Sequence, residues 1–254
     1  NGNRFEFRAV GSSQSIAGPQ VILNTIVADS LDYIATELEK APSEPAKFNA
    51  AVQKLLQKII REHGRIIFNG DNYSAEWREE ALRRGLPDAR TTPEAIDAMD
   101  VPATYEVFEK CGVLNRREAE SRFEIYRRKY IKDVLIEARL CLSMARTMIF
   151  PAGVRYQRLL AQTAADLQAL GKTTCTTVLD EVNALLAELQ QAVRRLEETI
   201  EIPPGLNLSQ QGRYLVDTVI PLMNALRKVV DELEQICDDG LWPLPTYQEM
   251  LFIR

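Results

Sequence analysis

From Asn115 to Cys237 apolar residues return every three or four positions with few interruptions, and this fixes most of what the chain can fold into. One run takes Phe123, Tyr126, Tyr130, Val134, Ala138, Cys141, Ala145 and Met148. The pattern resumes at Val154 and continues to Leu170, where Gly171 stops it. A second run takes Val178, Val182, Leu185, Leu189, Ala192 and Leu196, and a third takes Leu215, Val219, Leu222, Leu226, Val229, Leu233 and Ile236. Such spacing places one apolar stripe on each of three long helices. A helix from Arg116 to Phe150 would reach roughly 50 Å. A further line at Val216, Met223, Val230 and Cys237 widens the last stripe beyond a two-stranded seam, which favours a bundle over a coiled-coil dimer. The connections at 171–174 and 202–208 are short and rich in breakers, so the expected architecture is one antiparallel bundle from Arg116 to Cys237. Pro151 is expected to kink or break the first helix, and Pro221 to bend the last.

The segment before Asn115 is more broken. Pro19 suits the first turn of a helix that runs to about Lys40. A second helix is expected from Lys47 to Glu62, with Phe48, Val52, Leu55, Leu56, Ile59 and Ile60 as its stripe. His63-Gly64 reads as its end, with glycine just beyond the last turn. Ile66 to Phe68 reads as a short extended run closed by the turn Asn69-Gly70-Asp71. Ser74 reads as the N-cap of a helix carrying Trp77 and Leu82, which Gly85 and Pro87 stop. Thr92-Pro93-Glu94 reads as another N-cap, and Pro102 to Cys111 as a short helix. The tail from Leu241 to Arg254 cannot begin as helix, and its Trp242, Leu251, Phe252 and Ile253 are expected to dock on a core.

The composition, 46% hydrophobic and 26% charged over 254 residues, is that of an ordinary globular chain. A net charge of −5 argues against a nucleic-acid surface. No apolar run approaches the ~18 residues that would span a bilayer, and no leader opens the sequence, so a cytoplasmic protein without a membrane segment is expected. Cys111, Cys141, Cys175 and Cys237 are widely spaced and read as reduced, mostly buried thiols. With His63 as the only histidine, neither a zinc site nor a Ser-His-Asp machine has ligands or partners to draw on. Gly171-Lys172-Thr173 ends like a phosphate-binding loop, but Asp166 stands where the first glycine should be. Asp29 and Asp32 read as solvated acids, and Asn72 and Asn207 begin glycosylation sequons in a chain that otherwise has no mark of secretion.

One stretch carries chemistry. In Arg4-Phe5-Glu6-Phe7-Arg8, strand alternation puts Phe5 and Phe7 on one face and cation, carboxylate, cation on the other. A carboxylate between two guanidinium groups stays ionised and suits a divalent metal, while the arginines suit phosphate or carboxylate groups. The plainer reading of an isolated Arg-x-Glu-x-Arg is a surface strand with a salt-bridged face.

The continuation changes that weighting. Asn3-Arg-Phe-Glu-Phe-Arg-Ala-Val-Gly-Ser-Ser-Gln-Ser-Ile-Ala-Gly-Pro19 resembles the last catalytic barrel strand of glutamine synthetases, specifically the large type III branch. Ile66-Ile-Phe-Asn-Gly-Asp-Asn-Tyr-Ser74, Arg84-Gly-Leu-Pro87, Arg90-Thr-Thr-Pro-Glu94, Phe108-Glu-Lys-Cys-Gly-Val-Leu114 and Leu244-Pro-Thr-Tyr-Gln-Glu-Met-Leu-Phe252 are similar to that branch in the same order. The resemblance covers the chain from end to end but includes only the C-terminal part of the enzyme. It implies a mainly α chain within an α+β parent, in which one edge strand of the catalytic barrel is followed by helices and a long antiparallel bundle. The domains would be 1–114, the end of the catalytic domain; 115–240, the helical bundle; and 241–254, a docking tail.

By the same resemblance the parent joins ammonia to glutamate through a γ-glutamyl phosphate, using ATP and Mg2+ or Mn2+, in nitrogen assimilation. Glu6 would be a metal ligand near the phosphates. Arg4 would meet the nucleotide phosphates, and Arg8 the glutamate carboxylate or the transferring phosphoryl group. The family assembles as stacked rings, so a homo-oligomer is implied. The alternative is that this part is a non-catalytic helical oligomerisation or interaction module.

Overall fold

The computed structural model describes residues 14–245 and 247–251, the side chains of 247 and 248 excepted. Among the described residues every regular element is helical. The strand expected over Arg4 to Arg8 lies outside them. The helices are α1 (Ala17–Leu38), α2 (Pro45–His63), α3 (Ala75–Arg83), α4 (Thr92–Met99), α5 (Pro102–Lys110), α6 (Arg116–Met144), α7 (Phe150–Ala169), α8 (Thr177–Thr199), α9 (Leu208–Tyr214), α10 (Ile220–Ile236) and α11 (Tyr247–Leu251). They fall into two compact units divided between Phe123 and Glu124.

In the first unit α1 packs against α2 and α5. Its core is Ile96, Tyr105, Phe108, Ala119 and Phe123, with Ile22, Met99 and Leu114 against it. The rings of Tyr105 and Phe123 meet edge to face at 6.0 Å, a favoured aromatic geometry. The helix ends follow the expected signals with small shifts. Ser74 caps α3 by accepting from the Trp77 N–H, as expected. The cap of α4 is Thr91 rather than Thr92. Its hydroxyl accepts from Glu94 N–H while the Glu94 carboxylate accepts from Thr91 N–H, a reciprocal capping box. Gly64 is not left-handed. It keeps a right-handed φ of −57° and carries α2 into a 3-10 turn, Gly64–Ile66.

The second unit is a bundle. Its core takes Ile131, Val134, Ala138, Leu142, Ala145 and Ile149 from the first helical arm, and Val182, Leu185, Leu186, Leu189, Val193 and Leu196 from α8. Leu215, Val219, Leu226 and Leu233 complete it from the last arm. The buried line on α6 lies to one side of the expected stripe, because Tyr126 is exposed and Tyr130 and Cys141 are only half-buried. The partners of α8 show the direction of packing. Arg146 pairs with Glu197, Gly153 lies against Leu186, and Gln157 donates to Asn183 at 2.8 Å. Numbers rise on one arm as they fall on the other, so the arms are antiparallel. Leu189, Leu196, Leu215 and Leu233 are fully buried, each contributing about 1.5–3 kcal/mol by leaving water. Trp242 and Leu244 of the tail pack against this core.

Neither proline breaks its helix, so of the two outcomes expected at Pro151 the break does not occur. Each stands second in a helix that follows a five-residue π-turn: Ala145–Ile149 before α7 and Leu215–Val219 before α10. Phe150 N–H donates to Ala145 O and Ile220 N–H to Leu215 O, each five residues back. Widening the turn by one residue moves the carbonyl that the proline ring would strike, so the helix continues without the usual clash. Both prolines follow an apolar pair, Ile149-Phe150 and Val219-Ile220. Both contact α8.

Candidate functional site

Arg4, Glu6 and Arg8 lie outside the described residues, so no geometry brings them together here. The motifs at 66–74, 84–87, 90–94 and 108–114 are described, and each does structural work.

The first is the loop before α3. Phe68 stacks on Trp77 with ring centroids 4.5 Å apart. Arg84, from the next motif, stands over Trp77 at 5.6 Å and donates to Arg65 O at 3.0 Å and Ile67 O at 2.7 Å. Thus Ile66–Ser74 and Arg84–Pro87, separate in sequence, form one clamp. Glu80 binds both Arg83 and Arg84, whose guanidinium groups hold its carboxyl below the ordinary value. Gly70 is required by the clamp: a Cβ there would lie 2.7 Å from the Phe68 ring. Asp71 accepts from Tyr73 N–H at 2.9 Å, a turn in which the side chain imitates backbone. The Tyr73 ring is 85% exposed at the tip.

The motif Arg90–Glu94 is the capping box of α4, and Arg90 also reaches Asp88 at 2.8 Å. Phe108–Leu114 turns the chain from α5 into α6. Phe108 is in the core, Gly112 is left-handed at φ +63°, and Val113 N–H donates to Phe108 O at 3.0 Å. Tyr105 is buried beside this turn and donates its hydroxyl to Asp100. Burial, and then the Asp100 carboxylate, push its phenol up to about 12.

Asp29 and Asp32 do not wait for a metal. The Lys110 ammonium sits at 2.7 Å from one and 3.0 Å from the other, and hydrogen bonds to both raise its pKa above the usual lysine range. Among the described residues no three His, Cys, Asp or Glu side chains are grouped to hold a metal ion. Gly171 is a helix end at φ +69° rather than a phosphate loop. Asn207 is the N-cap of α9, with Gln210 closing its capping box. Cys175 is exposed, which corrects the expectation of mostly buried thiols for that residue. The other three are half-buried, and all four are free. None of the described helices is long and apolar enough to cross a membrane.

Sequence reasoning missed the Phe68–Trp77–Arg84 clamp as a unit. The sequence held no direct signal of it, since contact between Phe68 and Arg84 across separate motifs leaves no periodicity.

Comparison with known proteins gives the same family along the whole chain. Residues 51–168 match the Glutamine synthetase C-terminal domain. The Type-3 glutamine synthetase of Dictyostelium discoideum is 34% identical over 268 aligned residues, covering 100% of this chain and 36% of that protein. A glutamine synthetase of Bacteroides fragilis is 30% identical, again over 100% of this chain and 36% of the relative. One from Butyrivibrio fibrisolvens is 29% identical over 99% of this chain. The chain therefore spans about a third of the length of the curated relatives it matches. By these matches the chain is similar, from end to end, to the C-terminal part of glutamine synthetases, a type III enzyme among them.

Proposed function

We propose that this chain is the C-terminal part of an ATP-dependent glutamate–ammonia ligase that forms glutamine in the cytoplasm through a γ-glutamyl phosphate. The observation that carries the reading is the end-to-end similarity to proteins named glutamine synthetases. Residues 1–114 would close the catalytic domain, 115–240 would form the helical bundle, and 241–254 would be the docking tail. The substrates would be glutamate, ammonia and ATP, and the parent would assemble as a homo-oligomer of stacked rings.

Glu6, between Arg4 and Arg8, would hold Mg2+ or Mn2+, which when bound neutralises phosphate charge. The described residues supply no metal group of their own, so the remaining ligands would come from the parent. Arg4 would bind the nucleotide phosphates. Arg8 would bind the glutamate carboxylate or the transferring phosphoryl group. Guanidinium groups fixed where negative charge builds during phosphoryl transfer lower its barrier.

The test is Glu6→Ala in the full-length parent. Loss of one charged oxygen ligand should raise the metal concentration needed for half-maximal turnover and lower turnover itself, with the melting temperature kept. Near-normal turnover at limiting metal would reduce Glu6 to a salt-bridge residue. The second reading, a non-catalytic helical module, draws on every regular element among the described residues being helical. It predicts a parent whose turnover is indifferent to all three side chains.

A further inference from the structure

We propose that one face of α1 is an internal docking seam, covered in the full-length protein by the part of the polypeptide that precedes this chain. The proposal rests on the reading of this chain as the C-terminal part of a longer enzyme. Ala17, Val21, Asn24, Ala28, Leu31 and Ala35 recur at steps of four and three, and all are exposed. Val27 flanks the line and Ile16 precedes it. Val21, Val27, Leu31 and Ile16 are 43%, 53%, 58% and 69% exposed. The charged residues of α1, Asp29, Asp32 and Glu37, all fall off this arc, and only Thr25 of the whole helix is buried. Small alanines alternating with Val21 and Leu31 at this spacing are what helix-on-helix packing requires.

Two further observations point the same way. The polar side chain on this line, Asn24, turns back on its own helix and donates to Gln20 O at 2.8 Å, as an apolar neighbour would favour. Beside the seam lies an open groove of about 500 Å³, walled by Ala17, Val21, Asn24, Ala28, Cys111 and Val113, with no charged group in its lining. A charged ligand would find no counter-charge there. A packed polypeptide element would find an uncharged line about 27 Å long, from Ala17 to Ala35. The occupant follows from length. The relatives are nearly three times as long as the matched region, and α1 opens the described chain.

The test places Leu31→Arg, and separately the milder Val27→Thr, in both the 254-residue chain and the full-length parent. Leu170→Arg, at another exposed apolar site, is the control. In the parent, Leu31→Arg should lower the melting temperature by about 5 °C or more, and Val27→Thr by less. In the 254-residue chain neither should lower it, and binding of an apolar fluorescent dye should fall. An unchanged parent melt would overturn the proposal. So would an equal drop in the 254-residue chain, which would mean that Leu31 packs within it. Self-association of the 254-residue chain at micromolar concentration, abolished by Leu31→Arg, together with a parent melt that Leu31→Arg leaves unchanged, would assign the face to a second copy instead. Turnover of the unsubstituted parent is read separately. If the parent makes no glutamine but Leu31→Arg still lowers its melt, the ligase reading fails and the seam stands.

Discussion

Gly70 lies against the end of the Phe68 ring. Phe68 is stacked on Trp77, and Arg84 covers the other partner of the stack. Gly70→Ala puts a methyl group inside contact distance of that ring. The expected cost is roughly 1–3 kcal/mol, the usual range for forcing extra volume into a packed site. Thermal melting checks it, and a variant that melts with the parent would show that the clamp yields. Tyr105 gives a pH dependence. Its phenol is raised from 10.0 to about 12, so the folded state favours the protonated form. The stabilisation is complete below pH ~10 and is lost as pH rises toward ~12, amounting to roughly 2–3 kcal/mol. Denaturant melts of wild type and Tyr105→Phe across that window should converge at the alkaline end, and parallel curves would contradict the assignment. Cys175 should be the first thiol alkylated. It is exposed, and hydrogen bonds from the Thr177 hydroxyl and backbone lower its pKa, whereas burial raises those of Cys141 and Cys237. Mass spectrometry after brief iodoacetamide treatment reads the order.

At the scale of the element, Gly153 leaves no room for a side chain against Leu186 of α8. A Cβ at position 153 would lie 2.7 Å from Leu186 Cδ2. Gly153→Ala should therefore destabilise the bundle by about 1–3 kcal/mol despite the better helix propensity of alanine. Because the obstacle is the end of a side chain, Leu186→Ala in the same molecule should remove part of that penalty. A double-mutant cycle that shows strict additivity would mean that the two residues do not meet. The bundle was the most legible part of the sequence, since its period is local and repeated. Val182, Leu185, Leu189, Leu196, Leu215, Val219, Leu226 and Leu233 all read correctly as core. The π-turns were not legible. Proline announces a missing N–H, but whether the helix breaks or widens depends on what the turn packs against, and here both turns lie on α8. The clamp around Trp77 was hidden for the same reason, because it joins residues with no shared period. The candidate site was legible only as a run of residue types, Arg4, Glu6 and Arg8, and its geometry lies outside the described residues.

At the scale of the whole molecule, chemistry and scaffold are unequally shared between this chain and the rest of its parent. The motifs described here cap helices, clamp a loop and turn α5 into α6, and none of them presents a reactive group to a substrate. No metal-binding group of three occurs among the described residues, and Asp29 and Asp32 are engaged by Lys110. If Arg4, Glu6 and Arg8 form one wall of a ligase site, that wall alone can neutralise only part of the charge of a transferring phosphoryl group. The 254-residue chain by itself is therefore expected to form no glutamine from glutamate, ammonia and ATP. The assay must exclude the host's own enzyme, by purification from a strain lacking it. Adding the preceding part of the parent as a second polypeptide should restore turnover only if the α1 seam is intact, since docking would have to bring the two walls of the site together. Glutamine formed by the 254-residue chain alone would overturn the division of labour, and would place a complete site within residues 1–254.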